Sequence, residues 1–138
     1  MSDGVDHIGI ATHSLDAYSE FWSSLGFIHQ NDEINEEQGV KIRIFQTSSG
    51  GPAIELLEPL SADTPIGKFL QNRGEGVQQI AVKTDDISST ITQLQSSGIR
   101  MINQKPVPGA NGTKIAFVHP SSTGGVLVEL VEHQKRNW

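Results

Sequence analysis

The sequence contains no cysteine. Disulfide scaffolds, thiolate-bound zinc and cysteine nucleophiles are therefore excluded, and the cytoplasm, a reducing compartment, is the expected location. No apolar run approaches the roughly 20 residues that a bilayer span requires, so no membrane partner is expected. Met1-Ser2-Asp3-Gly4 carry neither a basic region nor an apolar stretch, and no secretory signal is expected. Basic charge is scarce: ten Lys and Arg stand against sixteen Asp and Glu, for a net charge of −6. Nucleic acids select basic surfaces, so no nucleic-acid partner is expected. There is no nucleophile elbow. Ser49-Gly50-Gly51 and Thr123-Gly124-Gly125 do not open a helix in a βαβ unit, which makes them hairpin turns rather than phosphate loops.

What is present suits a small folded domain. The 138 residues are 36% hydrophobic and 19% charged, enough apolar material for one core and too little charge for a disordered chain. The acidic run from Asp32 to Glu37 reads as a solvated loop. Lys41, Arg43, Lys105 and Lys114 read as solubilising surface charges.

The two halves repeat. Gly4-Val5-Asp6-His7-Ile8-Gly9-Ile10-Ala11 aligns with Gly76-Val77-Gln78-Gln79-Ile80-Ala81-Val82-Lys83. The same offset carries Leu25-Gly26-Phe27 onto Ser97-Gly98-Ile99. Ile54-Glu55-Leu56-Leu57-Glu58 then aligns with Val128-Glu129-Leu130-Val131-Glu132. The chain is one domain built from two copies of a module, residues 1–72 and 73–138. In the first copy, alternation over Val5–Ala11 predicts a strand. Ser14 as N-cap, with Leu15, Tyr18, Trp22 and Leu25 at helical spacing and Gly26 at the end, predicts a helix. Strands are predicted over 27–32, 40–47 and 52–58, with turns at Asn31-Asp32 and Ser48–Gly51. In the second copy a strand is predicted at 77–83 and a helix from Asp86 to Ser97. Further strands fall near 99–103, 113–118 and 125–132, with a loop over 104–112. A short helix from Thr64 to Asn72, with Pro65 first, joins the copies. The fold class is α+β, two tandem βαβββ modules forming a half-barrel cleft.

Four polar side chains fall at repeat-equivalent strand positions: His7 and Gln79 on the first strand of each copy, Glu55 and Glu129 on the last. Each has apolar neighbours, and an ionisable group in an apolar strand costs several kcal/mol unless it is paired or metal-bound. In a two-fold cleft the four would converge. An imidazole nitrogen, an amide oxygen and two carboxylates form a hard ligand set suited to Mg, Mn, Co or Ni rather than to structural Zn. His119 sits at a strand-to-turn edge where it could touch a ligand, whereas His13, His29 and His133 read as surface residues.

These segments resemble the vicinal-oxygen-chelate (glyoxalase/bleomycin resistance) superfamily and, within it, the methylmalonyl-CoA epimerase family. The resemblance runs through Val5–Ala11, Ile54–Leu60, Thr64–Leu70, Arg73–Val77, Pro106–Gly112, His119-Pro120 and Gly124–Leu130. It implies a homodimer, an acyl-CoA substrate, and a divalent metal ion (Co, Mn, Ni, Mg or Zn) held by His7, Glu55, Gln79 and Glu129. It also implies inversion at the carbon between thioester and carboxylate, with Glu129 as catalytic base. Two positions depart from the family pattern. Gln78-Gln79 stands where epimerases carry His-His, and Ile42 stands where some carry a third-strand Glu. Glu55 or a water is the expected second proton carrier. Glyoxalase I and a metal-poor small-molecule-binding protein of the same fold are the alternative readings.

Overall fold

The computed structural model describes residues 2–134; residue 1 and residues 135–138 of the two expected modules lie outside that range. The chain forms two compact units. One spans His7–Gln78, and the other joins the first six residues to the chain from Gln79 onward. The dividing line falls inside the first strand, β1 (Ser2–Ala11).

The first unit contains helix α1 (Leu15–Ser24), strands β2 (Ile28–Asn35), β3 (Val40–Gln46) and β4 (Ala53–Pro59), and helix α2 (Pro65–Arg73). Its strands lie in the order β2-β3-β4-β1. β4 runs antiparallel to β3 and parallel to β1, which places Gly9 beside Glu55 and Glu55 beside Ile44. One face of this sheet packs on α1: Leu15 and the half-buried Trp22 close over Phe45, Ile54 and Leu56. Tyr18 and Leu25, expected on the same helical face, are exposed. The Tyr18 hydroxyl donates to Glu75 instead. Gly26 follows the helix at φ 94, a conformation that glycine adopts without strain.

Ser14 is the N-cap residue of α1, but its side chain makes no cap bond. The helix N-terminus is satisfied from the sheet: Glu58 Oε1 accepts the Leu15 N–H at 3.0 Å. The second copy repeats this, with Glu132 Oε1 accepting the Ile87 N–H at 2.9 Å. A carboxylate there meets an unsatisfied N–H and the positive end of the helix dipole together.

The expected turn at Asn31-Asp32 is strand instead. The register between β2 and β3 shifts between His29 and Asn31, so a β-bulge absorbs the irregularity and pairing continues to Asn35 opposite Val40. The reversal comes at residues 36–39, where Asn35 Oδ1 accepts the Gln38 N–H and Gly39 takes φ 68. Asp32 is therefore exposed, as expected, but lies in a strand rather than a loop. It lies opposite Arg43, whose Nε and Nη2 donate to its two carboxylate oxygens at 2.9 and 2.8 Å. Arg43 also reaches Asp16 at 2.7 Å and is only 14% exposed, so it is a structural tie between β2, β3 and α1 rather than a surface charge.

The second unit contains β5 (Gly76–Thr84) from Gln79 onward, α3 (Ile87–Ser96), β6 (Val107–Pro108), β7 (Lys114–Val118) and β8 (Val128–Glu132), in the order β5-β8-β7-β6. Ile87 and Ile91 of α3, with Leu94 beside them, pack on Met101, Ala116, Val118 and Leu130. The other face gathers Ala81, Ile115 and Val131, with Phe117 and Val107 against them. The strand expected near 99–103 reduces to a single bridge, Met101 to Val118. Asn103 stops the ladder, because its side-chain oxygen takes the Phe117 N–H at 2.8 Å. The expected loop 104–112 instead holds the two-residue β6, kept short by Pro108, which has no N–H to donate. Pro65 opens α2 as its sequence suggests, with the Thr64 hydroxyl accepting the Gly67 N–H.

The Arg43 guanidinium holds the Asp32 carboxyl down at about 2; burial opposes this and His29 assists it. A carboxyl whose folded value lies below its unfolded one adds stability above the unfolded value and loses it as the pH falls toward 2. Asp32→Asn is expected to lower neutral-pH stability by about 1 kcal/mol, since the pair is partly solvated. In urea titrations the gap to wild type should close between pH 4 and pH 2.

Candidate functional site

The four polar residues picked out by the repeat are all buried. His7 is 4% exposed, Glu55 8%, Gln79 7% and Glu129 4%. They form one pair in each unit. In the first unit, His7 on β1 and Glu55 on β4 approach to 3.3 Å between Nδ1 and Oε2. In the second, Gln79 on β5 donates from Nε2 to Glu129 Oε1 on β8 at 3.0 Å.

Strand alternation explains why these side chains share a face within each unit. Ile54 and Leu56 point toward α1, so Glu55 between them points to the helix-free face. Leu130 packs under α3, so Glu129 points away from it, beside Ala81 in register. The next glutamate in each last strand, Glu58 or Glu132, stands three residues on, an odd step, and emerges on the helix side, where it caps the helix. One Glu-x-x-Glu pattern thus supplies an interior carboxylate and a helix anchor in each copy. Sequence reasoning aligned these glutamates and missed the capping; the three-residue spacing on a strand was the available signal.

The pairs answer the energetic objection to burying ionisable groups on apolar strands, because every such group has a polar neighbour. Each pair also offers donors of the kind that hold divalent cations: an imidazole and a carboxylate in the first unit, an amide and a carboxylate in the second. Gln79 turns its amide nitrogen to Glu129, which directs its carbonyl oxygen, the atom that ligates cations, away from that carboxylate. Gln78, one residue earlier on β5, projects to the opposite face. Ile42 is buried in β3, and Glu37 is exposed in the reversal before it. The half-buried Glu33 stands opposite Ile42 on β2 and shares its face.

Of the remaining histidines, His13, His29 and His133 are exposed, as their sequence context suggests. His29 pairs with Asp32 at 2.8 Å, and His133 pairs with Asp6. His119 is half-buried, and its Nδ1 accepts the Ser121 N–H at 3.0 Å.

Comparisons with known proteins agree over nearly the whole chain. Residues 6–117 match the Glyoxalase/Bleomycin resistance protein/Dioxygenase superfamily. An uncharacterized protein of Bacillus subtilis, YqjC, is 43% identical over 129 residues, covering 93% of this chain and 91% of that protein. The mitochondrial methylmalonyl-CoA epimerase of Homo sapiens is 33% identical over 128 residues, covering 91% and 72%. Among solved structures, a variant of the Streptomyces coelicolor methylmalonyl-CoA epimerase in complex with 2-nitronate-propionyl-CoA is 40% identical with a TM-score of 0.91, covering 98% of this chain and all of that one.

The Gln79–Glu129 bond yields a stability test. Glu129→Leu removes the acceptor of a buried amide and is expected to cost about 1–3 kcal/mol. Adding Gln79→Leu should return part of that loss. A double-mutant cycle by urea denaturation measures the coupling, and fully additive effects would show that the bond contributes nothing.

Proposed function

We infer the activity of this chain from one premise: it belongs to the glyoxalase/bleomycin resistance protein/dioxygenase superfamily. Within that superfamily it is an epimerase that interconverts the R and S forms of methylmalonyl-CoA. The likeness to an epimerase bound to a 2-nitronate-propionyl thioester carries this reading, with 40% identity over 98% of this chain and all of that one. A nitronate is planar and anionic, as is the enolate that an α-epimerisation passes through.

The superfamily commonly uses divalent metals, and His7, Glu55, Gln79 and Glu129 are the residues we assign to one such ion. The ion would supply the Lewis acidity that makes a proton beside a thioester removable. Among Co, Mn, Ni, Mg and Zn, the oxygen-rich set favours the harder members. In this scheme Glu129 removes the α-proton from one face of the substrate. The carbon becomes planar, and a proton returned to the other face inverts it. Glu55, from the other copy of the module, or a water serves as that second carrier. The hydrogen bond from Gln79 fixes the Glu129 carboxylate in one rotamer, and an amide does not compete for the proton. The assignment extends to a single domain of two modules, 1–72 and 73–138, acting as a homodimer in the cytoplasm. The family likeness supports the dimer, and the lack of cysteine fits a reducing compartment. No helix among the described residues is long and apolar enough to cross a membrane.

The test is α-proton exchange of methylmalonyl-CoA in heavy water, followed by NMR. Glu129→Gln should slow exchange by about 10²–10⁴-fold while keeping the wild-type circular dichroism spectrum. Near wild-type exchange in that variant, with metal bound, would refute the base assignment. Turnover of methylglyoxal with glutathione, and none of methylmalonyl-CoA, would select glyoxalase I instead. Binding of the thioester without exchange by wild type would select a binding protein.

A further inference from the structure

The helix-free face of the second unit carries one more polar side chain. On β7, Ala116 and Val118 pack under α3, while Ile115 and Phe117 point to the face shared with Ala81 and Val131. Phe117 lies opposite Glu129, and Val118 opposite Val128. His119 follows with an extended backbone, φ −67 and ψ 133, so alternation continues for one more residue. Continued alternation turns its Cα–Cβ bond to the side of Phe117 and Glu129, one diagonal step beyond the end of the ladder, while the ring also reaches the Ser121 N–H. Diagonal neighbours on one sheet face lie roughly 7–8 Å apart, within reach of long side chains.

The chemistry of this imidazole is set by its surroundings. Nδ1 accepts the Ser121 N–H, so the neutral ring carries its proton on Nε2. The backbone is pinned as well: His119 N–H donates to Arg100 O at 2.8 Å, and its carbonyl accepts from Ser122 at 3.0 Å. The result is a rigid N–H donor that is half-buried and cannot turn its other nitrogen outward without breaking the cap.

We propose that His119 is a substrate-binding residue whose Nε2–H donates to the carboxylate of the malonyl-type acyl group. The inference rests on the epimerase reading and gives it a recognition element. An anionic group brought onto the face that holds Glu129 meets like charge, and a fixed donor on that face offsets it. A donor aimed at a carboxylate forms a charge-assisted bond, stronger than a neutral one and stronger still when partly shielded from water. His119 thus discriminates acyl groups with a carboxylate from those without one.

The test uses calorimetric binding of malonyl-CoA and propionyl-CoA to the metal-loaded protein. His119→Asn keeps an acceptor in place of Nδ1 for the Ser121 N–H and loses the distal donor. Its thermal midpoint should therefore stay near wild type. The expected result is malonyl-CoA binding weakened about tenfold or more, with propionyl-CoA binding unchanged within about twofold. Equal weakening of both ligands, or of neither, in a folded variant of an active wild type would overturn the proposal and leave the epimerase reading intact. A wild type with no α-proton exchange and no preference for malonyl-CoA would overturn both. His119→Phe, which removes cap and donor together, gives the same ligand contrast if Asn substitution alters the turn.

Discussion

Ionisable groups do not remain on the interior face of an apolar strand unless something there satisfies them. The arrangement of this protein follows from that constraint. His7 and Glu55 compensate each other at 3.3 Å, and Gln79 and Glu129 do so at 3.0 Å. Both pairs occupy the same places in their modules, a first-strand residue against a last-strand carboxylate. The parallel pairing of first and last strands brings them side by side, so pairing and position have a single cause. A duplicated module that buries two such pairs keeps four ligand-grade side chains desolvated and ordered before any substrate arrives.

The same strands fix the helices. Glu58 and Glu132 lie three residues beyond Glu55 and Glu129, and each accepts the first free N–H of its helix. Because three is an odd step on a strand, one glutamate points inward and the other toward the helix. A shift of one residue in the last strand would lose the interior carboxylate and the cap together, so the reactive face and the helix anchor share one register.

The halves of the fold were legible because their signals are local and repeated. Leu15 and Trp22, or Ile87, Ile91 and Leu94, mark a helix by spacing, and Pro65 after Thr64 marks its start. The four interior polar residues stood out because each recurs at a fixed offset among apolar neighbours. The failures are non-local. Asn31-Asp32 has turn composition, yet the cross-strand Arg43 fork and a bulge hold it in β2. Residues 99–103 look like a strand, yet the Asn103 side chain takes the N–H that the ladder needs. Ser14 looks like the cap of α1, yet a glutamate 43 residues beyond Leu15 makes the bond. Each depends on a partner distant in sequence, which composition in a short window does not reveal.

The central proposal is that one cation would take its protein ligands from both copies of the module. The most direct measurement is anomalous X-ray diffraction from crystals grown with Co²⁺. The account predicts a single strong peak about 2.0–2.3 Å from a His7 ring nitrogen, the Gln79 amide oxygen and one carboxylate oxygen each of Glu55 and Glu129. A peak bound by only one of the two pairs, or a cobalt ion elsewhere with both pairs still bonded to themselves, would contradict it.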